Sequence, residues 1–256
     1  MNKANAIANA DAYVDAELEV MPGGVNQVLR IGSTVRRPVG PWTASVHALL
    51  THIAEAGYTG APRVHGIDAE GREILDYLPG EVRDHPLPGR ARSDEALAEV
   101  AVLLREYHDA TVDFVVPPDA VWYWQTREPA EVICHGDLAP YNCVFRDGRP
   151  VAFIDFDTAS PGPRIWDVAY AAYRLAPTDR SVLTDTAHAR LVHLVDHMHA
   201  QAAAGNAAFA GHIAAGHDAI YRTDMAHLER HRARFLAATD IAADGSDGVE
   251  PSDFVR

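Results

Sequence analysis

Short apolar-rich runs punctuated by glycine and proline dominate the first third of the chain, and runs of this length bounded by turn residues predict β-strands. The first is Asn26-Gln27-Val28-Leu29-Arg30-Ile31, followed after Gly32-Ser33 by Thr34-Val35-Arg36-Arg37, where Pro38 ends the pattern. Two more, residues 63–67 and 72–78, enclose the turn Asp68-Ala69-Glu70-Gly71 and stop at Pro79-Gly80. Between the two pairs the period changes. Val46, Leu49, Leu50 and Ile53 recur at helical spacing and Gly57 stops the run, which predicts one amphipathic helix over residues 43–56, packed on a small sheet. Residues 1 to about 20 are rich in Ala and Asn, and their apolar positions are too sparse to predict a helix.

Helical spacing takes over downstream. After a loop at residues 84–92, Ser93 is placed as an N-cap with Glu95 in the first turn. Leu97, Val100, Ala101, Leu104 and His108 then share one face of a helix ending near Asp109, with His108 read as a hydrogen-bonded core histidine. Beyond residue 166 the chain reads as helical to about residue 238. Leu191, Leu194, Val195 and Met198 form one stripe, and Ile220, Met225, Leu228 and Phe235 contribute to another. Polar, glycine-bearing residues 244–253 read as disordered.

Composition narrows the class. With 256 residues and 48% apolar composition the chain can bury a substantial core in one or two domains. Acidic residues outnumber basic ones 36 to 22, a formal charge of −14, which argues against nucleic-acid binding and is compatible with a cationic substrate. The two cysteines, Cys134 and Cys143, read as small buried residues, which suits a reducing cytoplasm. The N-terminus lacks an apolar leader core, and no stretch approaches the roughly 18 apolar residues of a membrane span.

The break between the two helical regions carries the chemistry. His135-Gly136-Asp137-Leu138-Ala139-Pro140-Tyr141-Asn142 is followed by two short apolar strands, joined through Arg146-Asp147-Gly148-Arg149, and then by Ile154-Asp155-Phe156-Asp157. The hairpin folds Asp155 back beside the loop of Asp137 and Asn142. Phosphoryl transfer needs one carboxylate to orient the attacking hydroxyl and take its proton, and an amide oxygen and a second carboxylate to hold Mg²⁺ against the phosphates. Asp137, Asn142 and Asp155 fit those three roles. No G-x-x-x-x-G-K-[ST] loop and no G-x-S-x-G elbow is present. His193 and His197, one helical turn apart, read as part of a solvated helix face.

On these residues the chain resembles the aminoglycoside phosphotransferase family, the small-molecule branch of the protein-kinase-like fold. The loop is similar to that family's H-G-D-x-x-x-x-N motif, and Ile154-Asp155-Phe156-Asp157 to its I-D-F/W-x segment. The resemblance implies an α+β, two-lobed fold, with a small N-terminal antiparallel sheet carrying one helix and a larger, mostly helical C-terminal lobe. It divides the chain into a nucleotide-binding lobe at 1–78, a catalytic and acceptor-binding lobe at 79–240, and a tail at 241–256. It further implies that Gly23, Gly24 and Asn26 lie over the nucleotide phosphates and that Asp76, Tyr77 and Leu78 form the hinge that meets the base. In this reading His135 braces the loop, Asp157 assists the metal or meets an acceptor amine, and Asp167 starts a helix. Trp122-Tyr123-Trp124 is an aromatic cluster that reads as core packing.

Two departures stand out. The family places a phosphate-gripping lysine on the third strand, paired with a helix glutamate. Here the strand offers only Arg37, or in the other register Arg36, and the matching helix turn, Ser45-Val46-His47-Ala48, has no glutamate. The function implied is Mg²⁺-dependent transfer of the γ-phosphate of ATP or GTP to a hydroxyl of a small molecule, an aminoglycoside or another amino or sugar alcohol. Asp196, Asp218, Asp224 and Glu229 are candidates for an acidic acceptor pocket. The alternative is a catalytically weak, kinase-like nucleotide-binding protein with a regulatory role.

Overall fold

The computed structural model describes residues 18–21, 27–83, 87, 89–175, 185–226 and 228–230. Gly23, Gly24, Asn26, Phe235 and the tail expected at 241–256 lie outside the described residues. The break between compact units falls at Val168/Ala169.

In the first unit a five-stranded antiparallel sheet has the order β1 (Leu18–Met21), β2 (Val28–Ile31), β3 (Thr34–Pro38), β5 (Arg72–Asp76), β4 (Val64–Ile67). Strand β1 pairs with β2 from a segment whose composition gave no strand signal. Its side chains are mostly exposed, so the ladder rather than a buried face holds it. Between β3 and β4 runs α1 (Thr43–Glu55), burying Val46, Leu49, Leu50 and Ile53 as their spacing predicts. The helix α2 (Asp94–Thr111) starts at Ser93, whose Oγ accepts from the Ala96 amide at 3.2 Å. Its buried face is Ala96, Val100, Leu104, Tyr107 and His108, with Ala101 turned to solvent, so the stripe is rotated from the one expected.

Two smaller sheets follow. Strands β6 (Glu81–Val82), β8 (Cys143–Arg146) and β9 (Arg149–Phe153) form one, and β7 (Val132–Cys134) pairs with β10 (Ser160–Gly162) in the other. The expected β8–β9 hairpin is present with Arg146 opposite Arg149. Asp147 and Gly148 both take positive φ, 52° and 75°, as a two-residue hairpin turn of the right twist requires. Pro150 sits where the ladder slips by one residue, at a bulge that tolerates its missing N–H. Cys134 and Cys143 are buried and unbridged.

The helix α3 (Arg164–Leu175) spans the break between units. In the second unit are α4 (Asp185–Ala203), α5 (Ala207–Ala214) and a helical stretch at 217–226. Leu191, Val195 and Met198 are buried as a stripe, but Ile220 is exposed. No helix among the described residues is long and apolar enough to cross a membrane.

Candidate active site

The loop between β7 and β8 is locked in place from beneath by one buried carboxylate. Asp167, in the first turn of α3, accepts from the His135 and Gly136 amides at 2.7 and 2.9 Å, and its Oδ2 meets His108 Nε2 at 2.9 Å. Burial works against its charge, but the hydrogen bond and charge of His108, with His135 and the Gly136 amide, hold the Asp167 carboxyl below the usual carboxylate range. Asp167 is thus a clamp on the loop as well as a helix-start residue, and His108 is its hydrogen-bonded partner. At Gly136, φ is +84° and a Cβ would lie 2.3 Å from the Thr158 carbonyl oxygen, so only glycine fits.

The upper side of the loop is zipped to the segment after β9. His135 Nε2 bonds the Ile154 carbonyl at 3.0 Å, and the Asp137 amide donates to His135 Nδ1 at 3.3 Å. The Ile154 amide donates to the Asn142 carbonyl at 2.9 Å, and Thr158 Oγ1 to the His135 carbonyl at 3.0 Å. These bonds bring Asp137, Asn142 and Asp155 together. Asn142 Nδ2 donates to the Asp137 carbonyl and to Asp137 Oδ2 at 2.8 and 3.1 Å, which directs the side-chain Oδ1 of Asn142 away from Asp137. Tyr141 Oη donates to Asp137 Oδ1 at 3.0 Å, a contact the motif did not foretell.

Asp155 sits in the left-handed region, φ 63° and ψ 63°, rare for a residue with a Cβ and costly unless the surroundings impose it. What imposes it is Phe156, fully buried against Tyr107 and His135 at ring separations of 5.5 and 4.6 Å. The Asp155 side chain is consequently left half exposed.

Arg37 reaches this cluster from β3. Its Nη1 donates to Asp155 Oδ1 at 2.7 Å, its Nη2 to Asp157 Oδ1 at 2.5 Å, and its Nε pairs with Glu73 Oε1 at 2.5 Å. The partner carboxylate missing from the helix is therefore supplied by β5, where Glu73 lies directly opposite Arg37 in the ladder. His47, in the helix turn where a glutamate was expected, meets Glu73 Oε2 through Nε2 at 2.8 Å. Arg36 points to the other face, with Nη1 on Thr34 Oγ1 at 2.7 Å and Nε 3.7 Å from Asp68. Burial lowers the Arg37 pKa, but Asp155, Asp157 and Glu73 raise it further, so it stays charged. Burial pushes the Asp157 carboxyl up to about 6, opposed by Arg37 and assisted by Asp155 and Glu73. Tyr123 belongs to this neighbourhood, its phenol pushed up to about 12 by burial and then by Asp157, Asp137 and Asp155.

The remaining expected residues are placed as follows. The amides of Asp76 and Tyr77 donate to the Arg63 and Ser33 carbonyls at 3.0 and 2.9 Å, and Leu78 is half-buried beside them. The Asp76 carboxylate turns to the Arg63 amide and His65. In the second unit Asp224 is buried and accepts from Tyr173 Oη at 2.6 Å, Glu229 pairs with His188, Asp218 with His199, and Asp196 is exposed.

Known proteins resemble the chain in one segment and in its fold. Residues 117–203 match the model of the phosphotransferase enzyme family. The resemblance read from the His135–Asn142 loop is shown by this match. A trifolitoxin immunity protein from Rhizobium leguminosarum bv. trifolii is 40% identical over 151 residues, covering 57% of this chain and 56% of that protein. The match thus spans little more than half of that relative's length. Among solved structures, a choline/ethanolamine kinase family protein from Mesorhizobium loti superposes with a TM-score of 0.63 at 17% identity, over 92% of this chain and 96% of that one. The GDP and kanamycin complex of APH(2")-IIIa superposes with a TM-score of 0.56 at 12% identity, over 89% and 98%. At such identities the likeness speaks for the fold, which is the α+β, kinase-like architecture expected. Arg37, His47 and Glu73 lie outside the segment matched to the phosphotransferase family.

Proposed function

We propose that the chain transfers the γ-phosphoryl group of ATP or GTP to a hydroxyl of a small molecule. The observation that carries this reading is the convergence of Asp137, Asn142 and Asp155, held by the Asp167 clamp, with Arg37 arriving from the sheet. Asp137 is the general base, its carboxylate oriented by Tyr141 and Asn142 to take the proton of the attacking hydroxyl. Asn142 and Asp155 are the candidate Mg²⁺ ligands. Both offer hard oxygen donors, and three carboxylates around one guanidinium, Asp155, Asp157 and Glu73 around Arg37, leave a net negative charge suited to a divalent cation. When bound, Mg²⁺ supplies charge that offsets the nucleotide phosphates.

Arg37 takes the phosphate grip and His135 braces the loop, while Asp157 supports the metal side. Gly23, Gly24 and Asn26 would cover the phosphates. With the Asp76 and Tyr77 amides already committed, a base at the hinge would meet carbonyl oxygens and Leu78. The lobe boundary near residue 78 belongs to this same reading.

The acceptor proposed is a hydroxyl-bearing toxic small molecule, cationic in keeping with the −14 charge. Support comes from a relative named for immunity to trifolitoxin and from a structural neighbour solved with kanamycin. One observation favours a second reading, a weakly catalytic nucleotide binder: Arg37 itself occupies Asp155, so a metal has a rival cation there. A panel of aminoglycosides, choline-like amino alcohols and trifolitoxin, assayed by ADP or GDP release with Mg²⁺, separates the two. Release stimulated by one acceptor class supports the enzyme; nucleotide binding with no stimulated release supports the binder.

A further inference from the structure

We infer that Glu73, backed by His47, is the positioning residue for Arg37, and that the phosphate grip of this chain is anchored within the sheet instead of from the helix. The inference rests on the phosphotransfer reading and deepens it. Arg37 and Glu73 are directly opposed on β3 and β5, a placement that puts their Cβ atoms about 4.5–5.5 Å apart on one face. Glu73 is only 1% exposed, and a carboxylate so buried is costly unless charged or hydrogen-bonding groups meet it. Two do, Arg37 Nε at 2.5 Å and His47 Nε2 at 2.8 Å, one on each oxygen. The Glu73 contact falls on the inner edge of the guanidinium, so the outer edge, Nη1 and Nη2, is presented toward Asp155 and Asp157. That outer edge is the part able to engage phosphate oxygens in a two-pronged way.

The consequence is mechanical. A carboxylate on a helix holds its cation only when the helix is docked, whereas Glu73 is tied to Arg37 by the β3–β5 ladder itself. Arg37 is therefore aligned without any movement of α1, and His47 adds a second tie from that helix. The ladder partner replaces the glutamate that the helix sequence lacks.

The test is a double-mutant cycle on the full chain, read as the affinity for a non-hydrolysable ATP or GTP analogue with Mg²⁺ by calorimetry, alongside the thermal midpoint. Glu73→Gln keeps the shape and removes the charge; its expected cost is about 10- to 100-fold in nucleotide affinity, the scale of coupling between residues of one salt-bridge network. On an Arg37→Ala background the same change is expected to cost nothing further, because the side chain it positions is gone. His47→Ala gives a second, milder route, with a smaller loss that vanishes once Glu73 is Gln. An unchanged affinity for Glu73→Gln, or an equal loss with and without Arg37, overturns the inference while the phosphotransfer reading survives. A wild type that binds no nucleotide overturns both.

Discussion

At the scale of single residues, the two adjacent arginines of β3 show how strand alternation divides labour. Arg37 faces the acid cluster, and Arg36 faces Thr34 and Asp68 on the opposite side. Arg36→Ala removes a buried, hydrogen-bonded cation, so its expected effect is a stability loss of about 1–3 kcal/mol with nucleotide affinity unchanged. Arg37→Ala is expected to weaken nucleotide binding as well. Denaturant melts and calorimetry on the same pair of variants check this, and equal affinity losses would contradict the assignment of faces. Asp137→Asn addresses the chemistry alone. An asparagine can still offer its oxygen to Asn142 and its amide to Tyr141 Oη, so fold and nucleotide affinity should persist while turnover falls about 10²–10⁴-fold. Single-turnover kinetics beside a binding titration would measure the split.

Among elements, the contact between the start of α3 and the His135–Asn142 loop ties the candidate site to the buried interior. Asp167 satisfies two backbone amides and His108, all buried. Asp167→Asn supplies one acceptor oxygen where three donors converge, and the loss of a buried hydrogen bond to a charged group typically costs about 1.5–3 kcal/mol. The pH dependence has a definite sign. The folded carboxyl titrates below its unfolded value of about 4, so the stabilisation is complete above that value and is lost as pH falls through the depressed folded value. Urea unfolding between pH 7 and 3 should show the wild type losing part of its advantage over Asp167→Asn only at the acid end. A constant difference down to pH 3 would mean that the Asp167 charge is not what holds the loop.

For the whole molecule, ligand linkage gives the broadest test. If the nucleotide binds the folded state alone, a concentration 100 times its dissociation constant stabilises the protein by about 2.7 kcal/mol. For a chain of this size that corresponds to a rise in thermal midpoint of about 5–10 °C. The rise should require Mg²⁺, since Asp155 and Asn142 are proposed to act on the phosphates through the metal. A thermal shift of equal size in the presence of a chelator would exclude that dependence.

Much of this arrangement was legible in the chain because it is local. The β8–β9 hairpin follows from Asp147-Gly148, which accept positive φ, and α1 follows from the spacing of four apolar residues. The loop from His135 to Asn142 and the Asp155 segment are close in sequence, so the motif could juxtapose them without a tertiary model. Other features depend on register between distant strands, which a single sequence does not encode in any local pattern. That Glu73 would face Arg37 was fixed only when β3 and β5 paired, and that His47 would back it was fixed only when α1 packed. The same holds for Tyr141 and Tyr123, whose roles beside the acids come from packing. Sequence by itself determined which chemical groups were available and which local turns brought them near. The tertiary structure decided which charge meets which, because a buried carboxylate takes whatever cation the fold sets within reach, regardless of its distance along the chain.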